Sequence, residues 1–328
     1  SNFDNMKDLT THSNFGLLPN NESKDALISS SNSLEMIFST KDDLRISAVY
    51  SASDIDLKHY YDADWSNPSQ WSEDHQGDHY DFSQQEDRSR NDKYFDINVS
   101  KKYIFNEFTV GAFSKTLEEK DNALGFVFYT NGGWVSSFTS SYSIDYSSIY
   151  YQHKYKIGED AFTIFNIRSD HYNNVYKNYL ETSNSVTYEV DGSSTDILPS
   201  TENFISSRLG FKFKNFHLAF STGHKAGGFN QNPFLETVGR QYKGETSSAV
   251  EGGYNLNNKN LFFDFNFFYI KRKNLQVDIA DQADPSNPVT FYFYTANIES
   301  GYNLGIDISS NYKLSDRLNT FFNCGLLS

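Results

Sequence analysis

An acidic chain of 328 residues, with 28 Lys and Arg against 42 Asp and Glu and a net charge of −14, offers no basic stripe for nucleic acid. Hydrophobic residues make up only 38%, yet aromatic residues reach 17%, with 29 Phe and 23 Tyr. No run approaches the ~18 consecutive apolar residues of a membrane helix, and the hydrophobic share is low for a soluble core large enough to hide that many rings.

Residues 1–32 are polar, with Asn-Asn and Ser-Ser runs, and read as a loop segment ahead of a sheet domain spanning 33–328. Leu34, Met36 and Phe38 begin an alternation of period two, the mark of a strand. Lys41-Asp42-Asp43 turns the chain, and Leu44, Ile46, Ala48, Tyr50 and Ala52 continue as one face of a return strand. Residues 60–92 read as a long acidic loop. Its His75 and His79 have a spacing that would suit a metal only on a helix, so no metal site is expected.

Ile97 and Val99 mark the next strand, which returns near Asn106 through Phe108, Val110 and Ala112. Residues 122–136 fit loop or strand. Tyr142 to Ile157 is a strand with Tyr on both faces, so its inner side stays open. After Gly158-Glu159-Asp160 comes the strand Phe162 to Tyr179, with Ile167 outward and Arg168 inward. That parity turns Phe162 and Ile164 inward. Residues 180–201 read as loop.

Ile205, Leu209, Phe211 and Phe213 form an outward face opposite Arg208, Lys212 and Lys214. Phe216, Leu218 and Phe220 follow, then Gly223-His224-Lys225-Ala226-Gly227-Gly228-Phe229-Asn230. Residues 231–245 read as loop. Leu261, Phe263, Phe265, Phe267 and Tyr269 alternate with polar residues, as do Tyr302, Leu304, Ile306 and Ile308. Short turns near 41, 158, 215, 258 and 316 alternate with long loops. That asymmetry, with strands longer than the ~9–11 residues needed to span, predicts an all-β, antiparallel transmembrane β-barrel.

Several of these segments carry a resemblance. Gly223–Asn230 resembles the Lys-Ala-Gly-Gly-Phe-Asn strand end of TonB-dependent outer-membrane receptors, with His224 where an aromatic is usual. Asn274-Leu275-Gln276-Val277, Asn297, and Gly305-Ile306-Asp307 resemble later family signatures. Ile167-Arg168 and Ser207-Arg208-Leu209-Gly210 resemble earlier ones, in the family's order. The resemblance implies a 22-stranded barrel around a plug, of which about 12 strands are present here. No plug or TonB box precedes residue 33, and the C-terminus lacks the terminal aromatic of such barrels. The chain is then expected to be a piece of a larger barrel; closure of twelve strands on their own is the alternative.

The function implied is active transport of a scarce nutrient, foremost an iron–siderophore complex, across the outer membrane of a Gram-negative bacterium. The partners implied are that chelate, outer-membrane lipid, and TonB acting through the plug. No catalytic constellation, organic cofactor or metal site is expected. The lone Cys324 excludes an intramolecular disulfide. Candidate ligand contacts near the mouth are His224, Lys225, Asn230, Gln276 and Asp278. Lys225 fits attraction of an anionic ferric chelate, or pairing with a neighbouring carboxylate. Gly227-Gly228 suits a bulge or bend at the rim. The competing readings are a passive porin-like or adhesin barrel, and a soluble β-rich glycan-binding protein.

Overall fold

The computed structural model describes residues 24–62, 80–129, 132–184, 190–230, 235, 237–282 and 291–328. Twelve of its strands form one antiparallel sheet. In chain order these are β1 (Lys24–Ser39), β2 (Leu44–Asp62), β3 (Tyr80–Lys102), β4 (Asn106–Tyr129), β5 (Gly132–Lys156), β6 (Ala161–Asn184), β7 (Val190–Phe213) and β8 (Phe216–Lys225). Two short strands, β9 (Gly228–Phe229) and β10 (Gln241–Tyr242), flank a single helical turn, α1 (Thr237–Arg240). The sheet resumes with β11 (Glu245–Asn257), β12 (Leu261–Gln282), β13 (Phe291–Ser315) and β14 (Leu318–Leu327). Neighbours pair in sequence, with β8 beside β11 and the β9–β10 hairpin standing apart from the sheet.

The strands are longer than the hydrophobic alternation alone suggests. β3 to β7 run 23 to 25 residues each. At ~3.4 Å per residue that is about 80 Å of strand, against ~30 Å of hydrocarbon. Residues 24–32, expected as loop, belong to β1, and much of 60–92 and 180–201 is strand as well. The physical reason lies above the apolar belt, where both faces meet water and the period-two hydrophobic signal disappears while backbone pairing continues. There the ladder is helped by cross-strand ion pairs on the inner face, such as Arg88 Nε to Asp121 Oδ1 at 2.6 Å and Lys115 Nζ to Asp92 Oδ2 at 2.8 Å. The acidic stretch holding His75 and His79 lies outside the described residues.

Register fixes the two faces. Phe265 pairs with Tyr254 and Ile308, Phe267 with Gly252 and Ile306, and Tyr269 with Val250 and Leu304, so one apolar row crosses three strands. The same face carries Val110, Ile149, Leu209 and Phe220, each at least half exposed. Aromatic residues border the belt. Phe216–Tyr254 and Phe108–His153 lie near the short turns, with ring centroids 4.7 and 4.4 Å apart. Tyr269–Tyr302 lies at the other rim at 6.2 Å. An exposed apolar band between aromatic girdles is how a barrel meets lipid.

The opposite face is polar. Among the described residues, buried apolar side chains are limited to Leu117, Tyr176, Ala219, Phe229 and Leu235, while Asp121, Asp170, Asn174, Asn178, Asn230, Arg240 and Glu245 are all buried. A soluble sandwich would reverse that balance. Phe162 does face inward as the parity requires, with Lys154 Nζ and Lys212 Nζ over its ring at 4.9 and 6.0 Å. The ambiguous β5 resolves in the same way. Tyr142, Tyr146 and Tyr150 point in, and Ile149 and Tyr155 point out.

A candidate binding wall strapped by an in-folded loop

Between β8 and β11, residues 226–230, 235 and 237–244 lie against the inner face. Their anchor is Glu202 on β7, whose two carboxylate oxygens accept the backbone N–H of Gly227 at 2.8 Å and of Gly244 at 2.9 Å. One side chain therefore closes both ends of the excursion. From the other side Gln276 on β12 donates through Nε2 to the carbonyls of Ala226 at 2.9 Å and Lys243 at 3.1 Å. The carbonyl of Ala226 and the N–H of Gly227 belong to one peptide unit, so β7 and β12 grip the same peptide.

Asn297 on β13 adds a second grip. Its Oδ1 accepts the N–H of Lys243 at 2.6 Å, and its Nδ2 donates to the carbonyls of Lys243 and Asn274. Asn274 has a positive φ of 50°, a conformation that asparagine tolerates better than most residues. Asn230 pairs with β13 much as a strand would, donating to the carbonyl of Thr295 at 2.8 Å and accepting its N–H at 2.7 Å. Beside it, Phe229 packs on Tyr142 of β5 and Tyr176 of β6, at ring separations of 6.3 and 5.9 Å. One dipeptide thus touches strands six places apart in the sheet, which at ~4.8 Å per strand spans about 29 Å when flat. The sheet is curled with its concave side toward the loop.

At the glycine pair, expected as a bulge or bend at the rim, close packing also leaves no room for a side chain. A Cβ on Gly227 would collide with the backbone carbonyl of Tyr242 and sit 2.9 Å from the nitrogen of Gly244. A Cβ on Gly228 would run into the Tyr242 ring. Both positions are bare because the β9–β10 hairpin closes on them. Arg240 Nε donates to the carbonyl of Leu235 at 3.0 Å, and its Nη1 lies 2.8 Å from Asp196 on β7. Burial pushes the Tyr242 phenol above its ordinary pKa, with the nearby Tyr142 and Asp278 adding to the effect.

The residues expected at the mouth divide into three groups. Asn230 and Gln276 are engaged with loop and strand backbone, and Asp278 accepts the hydroxyl of Thr295 at 2.9 Å. His224 sits at the root of the strap. Its ring stacks on Phe204 at 4.0 Å, and its Nε2 is 3.6 Å from Asp170 Oδ2. Lys225 is exposed, opposite Glu245 in the register. The sequence reading missed Glu202, Asn174 and Asp170. Asp170 is fully buried and accepts Arg168 Nε at 2.7 Å, while Asn174 donates to the carbonyl of Gly227 at 3.3 Å. Their partners lie 53 residues on for Asn174 and 25 for Glu202, beyond any local pattern. Around Arg168 stand the rings of Phe113, Tyr146 and Tyr150, each within 5.8 Å of the guanidinium carbon. Among the described residues no three His, Cys, Asp or Glu gather as a metal site, and no helix is long and apolar enough to cross a membrane.

Comparison with known proteins agrees with this architecture. The ferric yersiniabactin uptake receptor FyuA from Yersinia pestis superposes with a TM-score of 0.68 at 11% identity, over 94% of this chain and 43% of that one. The siderophore receptor PiuA from Acinetobacter baumannii gives 0.58 at 12% identity, over 93% and 47%. BauA, the ferric preacinetobactin receptor from Acinetobacter baumannii, gives 0.50 at 12%, over 93% and 45%. The chain therefore spans less than half the length of each, and at these identities the likeness is one of fold. No curated protein sequence matches it. The family described as TonB dependent receptor-like, beta-barrel, matches residues 2–324, and the chain belongs to that family.

Proposed function

We propose that this chain forms part of the wall of an outer-membrane receptor that imports a scarce nutrient, foremost an iron–siderophore complex, with energy delivered through TonB. The observation that carries the reading is the family match over residues 2–324, joined to a sheet with an apolar outer face and a polar inner one. In this reading His224 and Lys225 face the arriving chelate at the loop root. Asn230, Gln276 and Asp278 hold the wall that presents them. Arg168, ion-paired with the buried Asp170 at 2.7 Å, sets a rigid polar and aromatic patch with Phe113, Tyr146 and Tyr150 on the lumen side of the wall. The strap across the inner face narrows the space that a passive pore would keep open.

The test is uptake of radiolabelled iron as a ferric siderophore, in an iron-starved Gram-negative host without receptors of its own, expressing the full-length gene product. Uptake should depend on the gene and vanish when TonB is deleted. Equal solute entry with and without TonB would overturn the reading in favour of a passive pore.

A further inference from the structure

The inner face of the wall carries a row of cations, and each is held by a carboxylate. Arg88 lies 2.6 Å from Asp121 and 2.9 Å from Glu86. Arg90 sits between Asp92 and Glu119, at 3.9 and 4.0 Å, and Asp92 also holds Lys115 at 2.8 Å. Arg168 is tied to Asp170, and Arg240 of the strap to Asp196. Two exposed lysines stand at the root of the strap, Lys225 opposite Glu245 in the register and Lys243 next to the Gly244 that Glu202 holds, so each arrives beside a carboxylate.

The carboxylates are not matched in the same way. Asp96 accepts the Tyr150 hydroxyl at 3.1 Å, and Glu202 accepts two backbone N–H groups. Among the described residues neither takes part in an ion pair, and a neutral donor steadies a carboxylate without cancelling its charge. The wall therefore turns surplus negative charge to the lumen, and low-dielectric walls focus such a field on whatever enters. Ferric chelates divide along that line. Three hydroxamates, each singly negative, neutralise the ferric ion, whereas three catecholates, each doubly negative, leave the complex triply negative. Arg90 and Lys115 are the cations a polyanion would need, with side chains 41% and 31% exposed, but Asp92 and Glu119 already occupy them.

We propose that this wall admits a neutral or cationic ferric chelate of the trihydroxamate type and repels polyanionic ones, and that Asp92 and Glu119 set the choice by masking Arg90 and Lys115. The proposal rests on the transport reading above and narrows its cargo. The experiment follows quenching of intrinsic tryptophan fluorescence in the detergent-solubilised full-length protein. The probes are ferrioxamine B (a cationic trihydroxamate), ferrichrome (a neutral one) and ferric enterobactin (a triply negative tris-catecholate). The wild type should bind either trihydroxamate at least about 10-fold more tightly than the tris-catecholate at low salt. The gap should shrink at about 1 M salt, where the Debye length is about 3 Å. Asp92→Asn with Glu119→Gln unmasks both cations and should narrow the gap about 10-fold, by a gain in tris-catecholate binding. Heat-modifiable mobility reports assembly. Glu119→Gln alone leaves Asp92 holding both cations, so it should shift the ratio less in the same direction, and it stands in if the double variant fails to assemble. Equal binding of the three chelates, preference for the tris-catecholate, no binding of either trihydroxamate, a gap that salt leaves unchanged, or an unshifted ratio in the assembled variant would overturn the proposal. Entry of the preferred chelate without TonB would instead strike the transport reading and leave the selectivity standing.

Discussion

Replacing Glu202 by Ala removes the one side chain that closes both ends of the in-folded loop. The two bonds it accepts, 2.8 Å from Gly227 and 2.9 Å from Gly244, are charge-assisted, and both glycines are buried. A hydrogen bond to a charged group contributes ~1.5–3 kcal/mol, so the pair holds the loop by at least about 3 kcal/mol. If the loop opens locally while the sheet stays folded, that loss speeds amide exchange roughly 150-fold. Hydrogen exchange read by mass spectrometry on peptides covering 226–244 measures it. Glu202→Gln keeps one acceptor oxygen and should fall between the two. Peptides from β12 below Lys271 should exchange as in the wild type. If the loop amides of the Ala variant exchanged within about threefold of wild type, the anchor reasoning would be refuted, since even one lost bond is worth more than that.

Charge on the outer face should be costly and charge on the inner face tolerated. Phe265→Arg, halfway along the apolar row of β12, should cost ~2–4 kcal/mol and block assembly, whereas Asn266→Arg next to it should assemble, as read by heat-modifiable mobility on gels. Phe165→Glu and Phe162→Glu separate the faces on β6 in the same way. Phe165 is 39% exposed on the lipid side, and Phe162 lies under two lysines, so only the first should impair insertion. Gly227→Ala drives a Cβ into the backbone of Tyr242, while Gly228→Ala meets only its ring. Both should make the loop sensitive to protease, and Tyr242→Ala should rescue the second but not the first.

The parts of this fold that are legible in the sequence are those where one face meets hydrocarbon. From Leu261 to Tyr269 the alternation marks strand, register and outward face together, because only the odd positions meet lipid. The inward turn of Phe162 follows from the same parity, against its chemistry. Beyond the bilayer that reasoning loses its signal. Gln84 to Asp92 is polar on both sides, yet it pairs residue by residue with Leu117 to Gly125, held by backbone bonds and by Arg88 and Lys115 on the inner face. The binding wall was harder still. Asn230 and Gln276 stand out as motif residues, but their engagement with Thr295, Ala226 and Lys243 depends on segments 33 to 65 residues away folding alongside. Glu202 sits in no motif and is visible only once β7 and β12 are seen to share a peptide.

The most direct test of the two-faced wall is a nitroxide scan of β12 from Leu261 to Ile270 in a Cys324→Ser background, with the full-length protein reconstituted in lipid vesicles. Labels at 261, 263, 265, 267 and 269 should be reached by lipid-soluble oxygen. Labels at 262, 264, 266, 268 and 270 should be shielded from oxygen and reached only from the aqueous lumen. Loss of that period of two, or oxygen shielding at 263, 265 and 267 alike, would contradict the account.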